Sequence, residues 1–249
     1  MRPYVGVGLL VAFLGSSGGS ADDEPTPRKL RQAAALTGKA EKHLAAGSLE
    51  RARQLYDKAL SISPDFPEAQ LGLGHLAMRD RRFEDALEAF HRAEDGFLEM
   101  SHALLTFERE THDRARQRIG QLERRVQYLQ QQVERRPNRE TQLQLSITEN
   151  ELRRLEALPP PDDAATSKVP PEIHFFIGNA LMNLAREDEA VKAWETCARE
   201  HPGFPLVYNN LAVAYWKVGR TDDARAALAK AERLGLQVNP KFKAALTRP

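Results

Sequence analysis

The chain has 249 residues, 41% of them hydrophobic and 29% charged, a balance typical of one or two ordinary domains that excludes a wholly disordered chain. Its 36 basic and 35 acidic side chains leave a formal net charge of +1, so it lacks the positive surplus typical of nucleic-acid-binding proteins. Its single cysteine, Cys197, excludes an intramolecular disulfide.

The chain begins with the layout of a secretory signal peptide. An apolar run from Tyr4 to Leu14 follows Arg2, and small residues lead from there to Ala21. The run is shorter than the about 20 residues that span a bilayer. We therefore expect a signal peptide over residues 1–21 and an exported protein, periplasmic or secreted, with no integral membrane span after cleavage. The alternative is an uncleaved N-terminal anchor. A disordered segment, residues 22–29, is expected to follow.

Residues 30–98 carry one helical pattern written twice at a spacing of 34 residues, starting at Ala33 and at Pro67. Small and bulky residues alternate at helical spacing in both copies, which predicts pairs of antiparallel helices in close contact. The first copy contains Leu36, Ala40, His43, Gly47, Ala52, Tyr56, Ala59 and Pro64, and the second contains Leu73, Gly74, Ala77, Ala86, Phe90 and Ala93.

Residues 99–158 replace this pattern with hydrophobic residues in alternating steps of three and four, which is typical of a coiled-coil seam. Because no proline interrupts residues 83–136, we expect one long helix, a turn at Pro137 and Asn138, and a second helix that returns along the first. The alternative is that the seam pairs with a second copy in a homodimer. The predicted seam comprises Ile119, Leu122, Val126, Leu129 and Val133 on the first helix and Leu145, Thr148, Leu152 and Leu155 on the second.

A Pro-rich linker over residues 159–170 leads back to two further copies of the 34-residue pattern, over residues 171–238. They start at Pro171 and Pro205. A capping helix is expected within residues 239–249, because Asn239 is a favourable N-cap and a proline follows it. The third copy contains His174, Ile177, Gly178, Leu181, Ala185, Ala190, Trp194 and Cys197, and the fourth contains Tyr208, Leu211, Ala212, Tyr215, Gly219, Ala224, Leu228 and Ala231.

In their period, their small residues and their closing prolines, Pro64 and Pro202, these four copies resemble the tetratricopeptide repeat (TPR) family. The resemblance implies an all-α fold in which helical hairpins stack into a TPR-type superhelix with a concave binding groove, here interrupted by a long antiparallel coiled-coil arm. One departure from the family pattern is Arg81, which stands where the turn glycine is expected.

The resemblance also implies a peptide-binding groove on the first helices of the third and fourth copies. Amides can donate to and accept from a peptide backbone, and bulky apolar residues can bury a partner's side chains. Asn179 and Asn210 are similar to a pair that clamps a C-terminal carboxylate in some family members, but Phe175 stands where a lysine is expected. The alternative is that Trp216 packs under the capping helix and the asparagines are solvated. The candidate residues are Phe175, Asn179, Met182, Asn183, Leu206, Asn209, Asn210, Val213, Trp216 and Lys217.

No residue pattern indicates a catalytic, cofactor or metal site. Cys197 falls at a packing position, which predicts a buried, inert thiol. We therefore expect a non-enzymatic scaffold of the cell envelope, without cofactor or metal, that binds a protein or an extended peptide in the groove. The alternative is a structural or oligomerising coiled-coil protein in which the arm carries the functional contact.

Overall fold

A computed structural model of the chain describes residues 27–159 and 169–247, and every regular element in these ranges is an α-helix. The predicted signal peptide, residues 1–21, and most of the predicted linker lie outside the described residues. The helices are α1 (Pro27–Ala45), α2 (Leu49–Ile62), α3 (Pro67–Arg79), α4 (Phe83–Arg135), α5 (Arg139–Glu156), α6 (Pro171–Asn183), α7 (Glu187–Glu200), α8 (Pro205–Lys217), α9 (Thr221–Arg233) and α10 (Pro240–Thr247).

The first helix corrects one expectation. Because α1 begins at Pro27, residues 27–29 are helical rather than disordered. Proline suits the first position of a helix, where its missing N–H has no intrahelical partner to lose. Leu30, in the first turn, is buried in a hydrophobic cluster, and this burial favours the early start.

The chain divides into two compact units. Unit 1 contains the residues up to Leu98 and from Val169 onward, and unit 2 contains Glu99–Lys168. Unit 1 holds four helix pairs, which we call repeats 1 to 4. They are α1 with α2, α3 with the part of α4 up to Leu98, α6 with α7, and α8 with α9.

The turn inside each repeat has the same backbone geometry. The residue fourteen places after each repeat start has positive φ: 79° at Gly47, 61° at Arg81, 56° at Ala185 and 80° at Gly219. In repeat 3 the following amide, Arg186 N–H, donates to Leu181 O at 3.0 Å, and the other three turns form the equivalent bond. This pattern ends a helix by satisfying one of its last carbonyls.

Close approach of the two helices in a repeat depends on small residues, as Gly178 shows. A Cβ added to Gly178 would lie 2.4 Å from the indole Nε1 of Trp194, which is too close for any real contact. The indole N–H donates to Phe175 O at 3.0 Å, so the buried ring leaves no polar group unsatisfied. The predicted interlocking of small and bulky residues is therefore present in repeat 3.

Repeats 2 and 3 pack against each other although some seventy residues separate them in sequence. One hydrophobic cluster contains residues from Ala77 to Phe97 and from Val169 to Leu246. The ring of Phe176 stacks on Phe90 at 5.6 Å and meets His75 edge-on at 4.4 Å. A second cluster joins repeat 1 to Phe66, the residue before α3, and to Ala69 and Leu76 of α3. Repeat 2 contributes to both clusters and therefore links repeat 1 to repeats 3 and 4 within unit 1.

Unit 2 is built from the remainder of α4 and from α5. Asn138 caps α5 by accepting a hydrogen bond from Thr141 N at 2.8 Å. An ion pair of 2.9 Å joins Arg118 of α4 to Glu151 of α5, so α5 returns along α4. Of the predicted seam residues, Leu122 and Leu129 are buried, and those on α5 are half-buried. The structure thus contains a helical hairpin, while its coiled-coil geometry stays a prediction.

Helix α10 covers the end of repeat 4. Asn239 Oδ1 accepts from Lys241 N at 2.9 Å, and Leu246 is only 2% exposed. The Arg225 guanidinium donates to Leu246 O at 2.7 Å, which ties the last turn of α10 to α9. Within the described ranges, no helix combines the length and the hydrophobicity that crossing a bilayer requires.

Candidate functional site

The ten predicted peptide-binding residues lie on α6 and α8, the first helices of repeats 3 and 4. We call the surface that they form the α6–α8 face. A hydrogen bond between Asn210 and Asn179 joins the two helices directly. Leu206 is 44% exposed and Trp216 is 47% exposed, which makes them two of the large hydrophobic side chains most open to solvent among the described residues. An exposed tryptophan and an exposed leucine on the same helix are candidate anchors for a partner.

Three asparagines form a chain of side-chain hydrogen bonds across this face. Asn209 Nδ2 donates to Asn210 Oδ1 at 3.4 Å, and Asn210 Nδ2 donates to Asn179 Oδ1 at 2.9 Å. All three side chains are half-buried. We call this arrangement the amide relay. Asn183 does not join it, because its amide donates to the backbone oxygen of Asn179 at 2.8 Å.

Phe175 and Met182 are more enclosed than Leu206 and Trp216. The Phe175 ring meets Phe204 edge-on at 4.9 Å and Phe176 at 5.7 Å, and both Phe175 and Met182 pack against the main hydrophobic cluster of unit 1. Replacing Phe175 would therefore disturb the packing between repeats as well as the surface. These two residues form the floor of the face, whereas Leu206 and Trp216 project from it.

The one cation among the ten candidates is already paired. The Lys217 ammonium lies 3.3 Å from Glu187 Oε1 and 3.8 Å from the sulfur of Met182. Glu187 belongs to the first turn of α7. The charge of Lys217 is thus balanced by a carboxylate from outside the α6–α8 face.

Trp216 meets the capping helix, as the alternative interpretation expected, but only in part. Its ring makes an edge-on contact with Phe242 of α10 at 5.7 Å while nearly half of the side chain stays exposed. Val213, one turn earlier, is half-buried. The asparagines, in contrast, bond to one another rather than only to solvent. The α6–α8 face is therefore ordered before any partner arrives.

Polar groups at equivalent places in repeats 1 and 2 were missed by the sequence analysis, although counting from Ala33 and Pro67 would have found them. Thr37 is 3% exposed, and its hydroxyl has no partner among the described residues. Burial lowers the pKa of His75 to about 4, so this ring is neutral near pH 7. Burial raises the pKa of Glu68 to about 7, and the negative charge of Glu41 adds to the shift.

Catalytic and metal-binding features are not evident in the described ranges. No group of three or more His, Cys, Asp or Glu side chains there is placed to hold a metal ion. Cys197 is buried, and burial raises the pKa of its thiol to about 12, so the thiolate is scarce at neutral pH. This thiol fills space next to α6 and is a poor nucleophile.

Comparison with solved structures finds proteins of similar length but little sequence identity. YrrB, described as a TPR protein with an unusual peptide-binding site, is 20% identical, with 89% of this chain and 91% of that chain covered and a TM-score of 0.31. TTC0263, a TPR protein of Thermus thermophilus, is 19% identical, with coverages of 86% and 96% and a TM-score of 0.36. A MamA protein is 18% identical, with coverages of 84% and 99% and a TM-score of 0.32. At these TM-scores the likeness adds nothing about function.

Family models are more informative than these structures. No curated protein matches the chain. Residues 43–95 match one model of the tetratricopeptide repeat, and residues 177–236 match a second. The first segment runs from the end of α1 into α4, and the second runs from within α6 to just past α9. Together they include all four turn residues with positive φ, Gly47, Arg81, Ala185 and Gly219. Both segments of the chain are therefore tetratricopeptide repeats.

Proposed function

We propose that the chain is an exported, non-enzymatic scaffold of the cell envelope that binds an extended peptide or a protein partner on the α6–α8 face. The observation that carries this proposal is the position of two exposed apolar side chains, Leu206 and Trp216, on the same helix as Asn209 and Asn210 of the amide relay. Apolar anchors supply most of the binding energy at such surfaces, and amides fix the backbone of the bound segment.

The tetratricopeptide repeats support an interaction role rather than catalysis, because the family resemblance implies hairpin stacks that bind proteins. Export is supported only by the sequence of residues 1–21, with its short apolar run and small residues before Asp22. N-terminal sequencing of the chain expressed with its own leader tests this part. A mature terminus at Asp22 supports export, and a retained Met1 would favour the anchor.

Capture experiments with two matched variants test the binding face. Leu206→Ser removes a leucine that is 44% exposed from the α6–α8 face, and Leu143→Ser removes a leucine that is 60% exposed from α5. We expect Leu206→Ser to weaken partner capture from a native envelope extract at least about tenfold, since a buried leucine side chain contributes about 1.5–3 kcal/mol. Leu143→Ser should capture as the unaltered chain does, and both variants should keep the same circular dichroism.

A second candidate function places the contact on the hairpin of unit 2. Leu143 and Ile147 lie four residues apart on α5 and are 60% and 58% exposed, which leaves an apolar strip without cover among the described residues. In this alternative the chain is a structural or oligomerising protein, and the predicted coiled coil forms the homodimer contact. Light scattering at micromolar concentration tests it, because a monomer contradicts dimerisation through the hairpin. Loss of capture in Leu143→Ser but not in Leu206→Ser would also favour this alternative.

A further inference from the structure

The amide relay has a direction, and that direction restricts what can bind to it. Each of its two bonds runs from the amide of one asparagine to the oxygen of the next, starting at Asn209 and ending at Asn179. Within the described residues, the relay therefore has an open donor, the Asn179 side-chain NH₂ group, and an open acceptor, the Asn209 side-chain oxygen. An extended peptide backbone can match both ends, because it offers C=O acceptors and N–H donors. A carboxylate offers acceptors only.

The charges around the relay also disfavour a carboxylate. Lys217 could have provided a cation, since Met182, which its ammonium touches, lies one helical turn beyond Asn179. Glu187 already balances that charge at 3.3 Å. Two turns before Asn179, Glu172 adds a second carboxylate, which lies 3.9 Å from the ring Nδ1 of His201. A bound carboxylate would thus enter a site with two acids and one paired lysine, and burying an unpaired charge is costly.

We propose that the α6–α8 face binds an internal stretch of extended polypeptide and rejects a free C-terminus, and that Glu187 determines this specificity by neutralising Lys217. This inference rests on the proposed function and narrows it. The bound segment presents a backbone C=O to Asn179 and a backbone N–H to Asn209, with apolar side chains against Leu206 and Trp216.

Two peptide libraries test the proposal. The full chain is immobilised and offered random 12-residue peptides that are displayed either with free C-termini or fixed at both ends within a carrier protein. We expect binders from the library fixed at both ends. When those peptides are synthesised, the free-acid and C-terminally amidated forms should have dissociation constants within about twofold of each other by fluorescence polarisation, because no charge contact depends on the terminus.

Two glutamine variants isolate the role of the acid. Glu187→Gln frees the ammonium of Lys217 and should tighten binding of the free-acid form relative to the amide about tenfold, the usual effect of one charge-assisted hydrogen bond. Glu189→Gln is the matched control, since Glu189 is in the same turn of α7 but pairs with Arg186 at 2.6 Å. It should leave the ratio of the two constants unchanged.

Different outcomes would contradict the proposed specificity, the role of Glu187 and the proposed function. Peptides that bind the unaltered chain and weaken tenfold on amidation would overturn the proposal while leaving the proposed function intact. An unchanged acid-to-amide ratio in Glu187→Gln would overturn the role of Glu187. If the proposed function is wrong, neither Leu206→Ser nor Asn210→Ala will weaken the binding of any peptide from either library. That outcome would overturn this inference as well.

Discussion

Four equivalent turn residues have left-handed backbone, and two of them are not glycine. Arg81 and Ala185 adopt φ values of 61° and 56°, in a region that costs a residue with a side chain about 1–2 kcal/mol. The helix spacing of the repeat imposes this conformation, since the glycines of repeats 1 and 4 occupy the same place with φ of 79° and 80°. The repeat geometry therefore overrides local preference at these two positions.

Ala185→Gly should stabilise the chain by about 0.5–1 kcal/mol, because glycine adopts positive φ without steric cost. The measurement is the free energy of unfolding in urea. Ala226→Gly is the matched control: Ala226 is exposed within α9, where the same exchange should destabilise by about 1 kcal/mol. A loss of stability in Ala185→Gly as large as in the control would contradict this explanation of the turn.

The buried carboxyl group of Glu68 makes stability depend on pH. Its pKa is raised from 4.5 to about 7 in the folded chain, so the folded state holds the proton more tightly than the unfolded state does. The stabilisation is complete below pH 4.5 and is lost as the pH rises toward 7.

Glu68→Gln should remove this dependence. The difference in unfolding free energy between the variant and the unaltered chain should therefore grow, in favour of the variant, by about 2–3 kcal/mol from pH 4 to pH 8. Urea unfolding at both pH values measures it. Asp57→Asn, which alters an exposed carboxylate on α2, is the control and should keep the pH dependence of the unaltered chain. An equal gain in both variants would mean that Glu68 is not the cause.

At the level of the helix pair, small residues set the distance between helices. Gly178 faces the Trp194 ring, whereas Gly38 of α1 has nothing within 4 Å of the place where a Cβ would lie. Gly178→Ala should therefore destabilise by about 1–3 kcal/mol through overpacking, and Gly38→Ala should stabilise by up to about 1 kcal/mol through helix propensity. The measurement is the thermal unfolding of both variants and of the unaltered chain, monitored by circular dichroism. If Gly178→Ala stabilised the chain instead, α6 and α7 would have space for an added methyl group, and this explanation would be contradicted.

The helix pairs, their period and the capping helix could be predicted from sequence because each depends on local spacing. The spacing placed Gly178 and Ala190 at contact positions, and both are buried. The state of the candidate site could not be predicted in the same way. The bonds from Asn210 to Asn179 and from Lys217 to Glu187 join side chains 31 and 30 residues apart, on different helices. Their existence depends on how the helices pack.

The early start of α1 was missed for a related reason. Composition alone favours disorder over residues 22–29, whereas burial of Leu30 within repeat 1 favours a helix from Pro27 onward. In unit 2, by contrast, the pattern of threes and fours identified Leu122 and Leu129 as inner residues, and both are buried. A long run of regular spacing is a stronger signal than the composition of eight residues.

At the scale of the whole molecule, the 34-residue array continues across its interruption. The insertion begins after Leu98, and the array resumes at Val169. Val169 belongs to the main hydrophobic cluster of unit 1, and Leu98 packs against the same cluster. Repeats need neighbours to bury their apolar faces, so repeats 2 and 3 stabilise each other although they are distant in sequence. Unit 1 should therefore fold without unit 2.

Replacing residues 99–168 by a Gly/Ser linker of about ten residues tests this independence. We expect a soluble helical protein that unfolds in urea in a single transition, because repeat 2 belongs to both hydrophobic clusters and so couples all four repeats. Tryptophan fluorescence, which comes from Trp194 and Trp216, and circular dichroism should report the same midpoint. Two separated transitions would contradict a continuous stack. The same variant should retain partner capture if the α6–α8 face is the binding site.

Site-specific photo-cross-linking in the native cell envelope tests the central claim most directly. A photoreactive phenylalanine analogue is placed at Leu206 on the α6–α8 face, at Ala226 on the exposed side of α9, or at Leu143 on α5, one site per variant. The binding of a partner on the α6–α8 face predicts a discrete adduct from position 206 and none from position 226 or 143. An adduct from position 143 alone would contradict the account and assign the contact to the hairpin.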